Sequence, residues 1–444
     1  MTISRTICLG FVAIIAVGTF LLLLPISTSS GNWNDPIVAL FTTTSAVCVT
    51  GLAVVDTGTY FSFWGQLFIA LLAQVGGLGY MTLNTFLLIL IGKRFDLRQK
   101  LAIQDSFDRP LLQGSQSLIK SIIATTLIAE ITAIFIMLPI FVDDFGWNKG
   151  LWFAIFHSVS AWNNAGFGLL PDSLVQYRGS IAINLAITGL IAFGGIGYQV
   201  IFEMFIWLRN KLQRRREKFM FSLNFKVAVS TTIFLLIGGT IAFFLTESND
   251  TVNFANLSLK EKILAAWFQS VTTRTAGFNT IDIGKMTTAG LFVTMALMFI
   301  GASPAGTGGG IKTTTFRILA SATKAILQGK SEVVVYERTL PASLIFKAVA
   351  VTFGSTVTVI VGTILVSVLD RGIDLIKILF EIISAFATVG LSTGITASLS
   401  SVAKVILVFI MYIGRVGVLL LMAGVLGDPK PTVVKYPEDN MLVG

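Results

Sequence analysis

Charge, cysteine and histidine are all scarce in this chain, and each scarcity removes a class of protein. Only 12% of the 444 residues are charged against 54% hydrophobic, too little polar surface to clothe a soluble fold of this size. One histidine, His157, and two cysteines, Cys8 and Cys48, support neither a disulfide framework nor a thiolate metal site. There is no H-E-x-x-H motif and no serine–histidine dyad, so the reading is not an enzyme. Apolar runs and glycine are what the chain has in quantity. A mean hydropathy of +0.83 describes a polytopic membrane protein.

Stretches near the roughly 17 to 25 apolar residues of a span fall at 7–26, 63–91, 118–142, 181–208, 227–245, 290–300 continuing past Lys312, 344–368 and 402–425. Eight crossings put both termini on one side. The first stretch suits a span better than a secretory signal core of about 7 to 15 residues. The net charge of +9 is segmented. Lys93, Arg94, Arg98, Lys100 and Arg109 fill one loop; Arg209, Lys211, Arg214, Arg215, Arg216, Lys218 and Lys226 fill another. The positive-inside rule makes these loops cytoplasmic, and both termini with them, in a multi-pass protein of the plasma (inner) membrane. Topology thus explains the basic residues without nucleic acid, and membrane lipid is the better second partner.

Glycine carries the organisation. Gly51, Gly166, Gly277 and Gly390 recur about a quarter of the chain apart, each closing an apolar stretch too short to cross: 36–48, 151–163, 262–273 and 373–387. Ten residues before them stand Phe41, Phe156, Trp267 and Phe380. Six before stand Ser45, Ser160 and Ser384, with Val271 in the third copy. A second set, Gly76, Gly194, Gly301 and Gly414, recurs in the following spans. The pattern predicts an all-α protein of four membrane-pore-membrane repeats, eight transmembrane helices plus four re-entrant pore helices around one pseudo-fourfold pore. The repeats are 1–94, 115–210, 225–328 and 342–427, with a cytoplasmic tail over 428–444. Each half-span aims its negative C-terminal end at the axis. The residues beyond it, Val49, Thr50 and Gly51, Asn164, Ala165 and Gly166, Thr275, Ala276 and Gly277, and Thr388, Val389 and Gly390, then offer backbone oxygens that replace the water around a cation.

The third copy departs after Gly301, reading Ala302-Ser303-Pro304-Ala305-Gly306-Thr307-Gly308-Gly309-Gly310-Ile311-Lys312-Thr313, which cannot keep a regular helix. Irregular backbone at mid-membrane depth lines a water-filled path. The 301–312 segment, with Gly301, Gly306, Gly308, Gly309, Gly310 and Lys312, therefore reads as a gate. It is not a phosphate loop, since Ile311 stands where that motif needs glycine before lysine. Arg415 interrupts the last span, where the first two copies carry Gly77 and Gly195. A cation there costs on the order of 2.5 to 3.5 kcal/mol, so Arg415 is a barrier on the path, an anchor for the 307–315 segment, or an arginine that snorkels to an interface. His157 reads as packed and neutral. Glu130 and Glu203 pair between helices or mark a polar route.

On the four loop ends, the glycine-rich break at 306–310 and the basic residue at 415, the chain resembles the KtrB subunits of the Trk/Ktr/HKT superfamily of potassium transporters over nearly its whole length. Thr388-Val389-Gly390 is also similar to the start of the potassium-channel filter sequence. The resemblance implies a homodimer with one pore per subunit and potassium uptake often dependent on sodium. It implies an intramembrane gating loop in the third repeat, with Arg415 as its neighbour, and a separate cytosolic ring of nucleotide-binding RCK-type subunits. Potassium is then the transported ion, sodium a possible second one, and no organic cofactor is implied. Glycine at position 51 favours potassium, because the sodium-selective plant relatives usually carry serine in the first loop. The competing reading is a sodium-conducting or secondary-active cation transporter with a midplane site. The secondary-active form predicts two inverted halves rather than copies in one order.

Overall fold

Helix starts are written as hydroxyl or carboxylate residues just ahead of apolar runs. Ser62, Ser180, Ser222, Ser258, Thr287 and Ser400 each accept a backbone N–H from the first turn that follows, and Asp35 accepts from Ile37 and Val38 beside Pro36. At Ser258 the cap is reciprocal. Its hydrogen bonds to Glu261 hold that exposed carboxyl below the usual range.

The structure, a computed structural model, describes residues 3–79, 115–214, 219–248, 253–255 and 257–426. The expected basic residues Lys93, Arg94, Arg98, Lys100, Arg109, Arg215, Arg216 and Lys218, and the 428–444 tail, lie outside the described residues. The first stretch forms α1 (Ile3–Leu23), α2 (Pro36–Val47), the single turn α3 (Thr57–Tyr60) and α4 (Phe63–Leu78). The second forms α5 (Ser115–Trp162), α6 (Ile181–Ile196) and α7 (Tyr198–Leu212). Next come α8 (Leu223–Glu247), α9 (Leu259–Thr272), α10 (Thr288–Phe299) and α11 (Thr313–Leu327), then an antiparallel hairpin of β1 (Val334–Val335) and β2 (Arg338–Thr339). The described residues finish with α12 (Ala342–Leu369), α13 (Leu375–Phe386), α14 (Ser401–Val416) and α15 (Val418–Leu426).

Among the described residues, α1, α5, α8 and α12 contain windows long and apolar enough to cross a bilayer unbroken. Their outward residues, such as Phe20, Phe135, Phe234 and Phe353, are exposed large hydrophobics, as a lipid-facing surface requires. Three expected spans differ from straight rods. Residues 181–208 are bent by 102° between α6 and α7, and 402–425 by 95° between α14 and α15. The cause is local: Gly197 and Gly417 sit at φ +96° and +89°, outside the helical basin. The span beginning at 290 stops at Phe299, and helix resumes only at Thr313. Conversely, the third span and second half-span are fused in α5 and change direction at Gly146, φ +76°. The remainder of the expected 63–91 span, past Gly79, lies outside the described residues.

Packing is cyclic. α1 packs on α2, α5 on α6, α8 on α9 and α12 on α13; α4 meets α5, α6 meets α9, α10 meets α13, and α14 returns to α2. The first and last quarters are joined as well, with Arg5 Nε donating to the Gly424 carbonyl at 2.7 Å and Tyr412 OH donating to that of Cys8 at 3.0 Å. The shared aromatics Phe41, Phe156 and Phe380 are fully buried, and Trp267 packs partly buried against the core. In lipid, close packing and interhelical hydrogen bonds replace the hydrophobic drive, which explains the second glycine set. A Cβ added at Gly76, Gly194 or Gly414 would strike the carbonyl of Val47, Trp162 or Phe386, in the last turn of a half-span. In the third quarter, Gly301 meets Gly309 instead, because the irregular segment folds back there.

Candidate ion pathway

Four half-spans end within a residue or two of one another in register, and the backbone beyond each makes the same unusual move. Val49, Asn164, Thr275 and Thr388 adopt φ of +52°, +55°, +68° and +51°, and Gly51, Gly166, Gly277 and Gly390 adopt +87°, +72°, +79° and +88°. Between them lie Thr50, Ala165, Ala276 and Val389. The four loops meet. A Cβ built on Gly51 would contact the carbonyl oxygen of Ala165, on Gly166 that of Ala276, on Gly277 that of Val389, and on Gly390 that of Thr50, all closer than 3.0 Å. Each glycine thus lies against a carbonyl of the next loop, and the fourth loop closes on the first. All twelve sequence-derived loop residues are brought together here, and side chains at the glycine positions are sterically forbidden.

The shared serine has a defined task in two quarters. Ser45 Oγ accepts the N–H of Gly51 at 3.0 Å, and Ser384 Oγ that of Gly390 at 3.1 Å. The buried Ser160 hydroxyl has no partner. In the third quarter Val271 cannot play this part, and Thr272 Oγ1 instead donates to the Phe278 carbonyl at 2.5 Å.

The 301–312 segment lies directly against the residues that precede the glycines. Thr307 Oγ1 donates to Asn164 Oδ1 at 3.1 Å, the Gly309 N–H to Thr388 Oγ1 at 3.0 Å, and a Cβ at Gly308 would collide with Thr275 Oγ1. Helix bends supply its other anchors, because a bend frees carbonyls from the helical ladder. The Ser303 and Thr307 N–H groups donate to the carbonyls of Gly195 and Gly194 at 3.0 and 3.1 Å. Arg415, in the last turn of α14, donates to the carbonyls of Thr307 and Gly76. Of the readings its sequence allows, this is the geometry of the anchor. Lys312 Nζ donates within the segment, to the Gly308 carbonyl at 2.7 Å.

On the other face of the ring, a cavity of about 880 Å³ is lined by the four glycines and by Asp56, Asp172 and Asp282. Carboxylates at such a mouth raise the local cation concentration. Asp282 lies 2.9 Å from Lys285 Nζ and holds that ammonium above its ordinary pKa. His157 is buried, as its sequence context suggests, with Nδ1 2.8 Å from the Phe153 carbonyl. Glu130 accepts at 3.5 Å from Asn163, the residue that follows its own helix, whereas Glu203 on α7 accepts from the N–H and hydroxyl of Ser222, the cap of α8, at 3.0 and 2.8 Å and so pairs between elements.

Residues 8–426 match the family model described as TrkH, cation transport protein. The chain belongs to the TrkH family. Among its relatives, Ktr system potassium uptake protein B of Bacillus subtilis (strain 168) is 38% identical over 444 residues, covering 100% of this chain and 97% of that protein. The Vibrio alginolyticus protein of the same description is 38% identical over 99% of this chain and 94% of its own. Potassium/sodium uptake protein NtpJ of Enterococcus hirae is 35% identical over 99% and 97%. The fold is shared with the potassium transporter TrkH from Vibrio parahaemolyticus, at a TM-score of 0.71 and 18% identity, over 95% of this chain and 84% of that one.

Two further groups lie beside these loops: Arg274, visible in the sequence as the one charge at the loop end of a half-span, and Glu381, which the sequence did not single out. Arg274 is buried just before the third loop and donates Nη2 to the Gly301 carbonyl at 2.9 Å, where the irregular segment begins. Glu381 is buried on α13 and accepts from Ser392, Thr393 and Thr396. The signal available for Glu381 was its register, nine residues before Gly390.

Proposed function

We propose that this chain is the membrane-spanning, ion-translocating subunit of a potassium uptake system, built as four membrane-pore-membrane units around one pore. The observation that carries the proposal is the closed ring of loop ends, in which each glycine abuts a carbonyl of the next loop. A dehydrated potassium ion is held there by backbone oxygens of residues 49–51, 164–166, 275–277 and 388–390, weakly enough to leave. The four half-helix C-termini add negative potential at the same place. Passage waits on displacement of the 301–312 segment, which Arg415 latches through Thr307. The chain performs translocation rather than chemistry. The potassium uptake proteins at 38% identity support the choice of ion.

Sodium stimulation, a homodimeric assembly, a cytosolic RCK-type nucleotide-binding ring that presses on the gate, and plasma-membrane residence with both termini cytoplasmic complete the proposal. Sodium conduction is the second reading, favoured by the description of NtpJ as a potassium/sodium uptake protein. Rubidium uptake into vesicles carrying the purified protein, with sodium as competitor, separates them. Wild type takes up rubidium with sodium a poor competitor. Gly51→Ser, whose side chain must displace the Ala165 carbonyl, lowers the potassium-over-sodium preference by about tenfold, equivalent to about 1.4 kcal/mol. Unchanged selectivity removes the filter assignment.

A further inference from the structure

We infer that His157 and Glu381 are positioning residues that brace opposite sides of the ring by one and the same contact, an inference that rests on reading the ring as the filter. Each stands nine residues before its glycine, and each accepts the N–H of the residue three past it. Leu169 N donates to His157 Nε2 at 3.4 Å, and Thr393 N donates to Glu381 Oε1 at 2.9 Å. The loops abut in chain order, so the second and fourth quarters face each other across the axis. In the other two quarters the register holds Thr42 and Phe268; the Thr42 hydroxyl is buried without a partner, and Phe268 has no acceptor to offer.

Both braces are built to accept. His157 Nδ1 faces the Phe153 carbonyl, which can only accept, so the proton resides on Nδ1 and Nε2 is left as an acceptor. The imidazole is fixed among aromatic rings, including Phe278 of the third loop at 6.1 Å between centroids, which ties the second quarter to its neighbour. Glu381 gathers the Ser392 hydroxyl at 2.5 Å and the Thr393 N–H on Oε1, and the Thr396 hydroxyl at 3.0 Å on Oε2. Ser392, Thr393 and Thr396 line the cavity over the ring, so the carboxylate holds that wall from behind. Discrimination between ions of different radius is set by the size of the carbonyl cage or by the number and field strength of its dipoles, and both depend on where the loops hold those carbonyls. Loosening these loops therefore costs selectivity before it costs throughput.

The experiment is rubidium uptake with sodium as competitor, comparing wild type with Leu and Gln substitutions at positions 157 and 381. Glu203→Leu serves as the matched control at a buried carboxylate that accepts from Ser222. His157→Leu and Glu381→Leu lower the potassium-over-sodium preference by about tenfold, the effect of losing a hydrogen bond to a buried acceptor, while the maximal rate changes by less than about threefold. His157→Gln and Glu381→Gln keep an acceptor and stay within about threefold of wild type. Leu variants with wild-type preference, or a loss equalled by Glu203→Leu, overturn the inference. Should a Leu variant fail to fold, His157→Asn and Glu381→Asp replace it, since each is too short to reach the same N–H; wild-type preference there overturns the inference equally. Gly51→Ser separates the layers: if it shifts selectivity and the brace variants do not, the braces fall and the filter stands, whereas no shift in either removes the filter reading itself.

Discussion

A β-branched residue held at positive φ is costly, on the order of 1 to 3 kcal/mol, and Val49, Thr275 and Thr388 all adopt that conformation around one ring. Such strain persists only where neighbours over-determine it. Here the next residues are tied back to the half-spans, Thr50 N to the Ser45 carbonyl at 2.7 Å and Val389 N to that of Ser384 at 2.9 Å. The serine hydroxyls then take the glycine N–H groups. Ser45→Ala leaves the buried Gly51 N–H unpaired and is expected to cost about 1 to 3 kcal/mol, read as a lower thermal midpoint of the purified protein in potassium. Ser160→Ala, which removes an unpartnered hydroxyl, is expected to lower it little. The glycine register was legible because only glycine tolerates a carbonyl where its Cβ would be. The strain two residues earlier was not, since Val and Thr at those positions are composed like any buried helix end.

At the scale of elements, the irregular segment between α10 and α11 matters most. Its glycines are explained by what they touch: Gly308 lies on the Thr275 hydroxyl and Gly309 on that of Thr388. Gly308→Ala must push the segment away from the ring, and it is expected to raise rubidium flux measured without any cytosolic partner; an unchanged rate argues against a gate. The break was legible because proline and glycines interrupt an apolar run. The right-angle bends after α6 and α14 were not, because their flanking residues read as one continuous span and a lone glycine is tolerated within a helix. Their purpose is tertiary: the bend frees the Gly194 and Gly195 carbonyls that receive the segment from another quarter.

For the whole molecule, cyclic packing makes each half-span a neighbour of the preceding quarter's inner helix. A tag fused after residue 444 is expected to be reached by protease from the cytoplasmic face alone, in sealed vesicles of known orientation; cleavage from the opposite face inverts the proposed topology. Composition settled the solvent, and the spacing of glycines pointed to the family, because both are properties of the chain as a string. Which quarters face each other was invisible to it, since that depends on the order in which the loops close.

Closure between Gly390 and Thr50 joins the first and fourth quarters, which are remote from each other along the polypeptide. Without the fourth loop the other three form an open arc in which Thr50 and Gly277 have lost a neighbour, so the enclosure belongs to the complete set of quarters and to no subset of them.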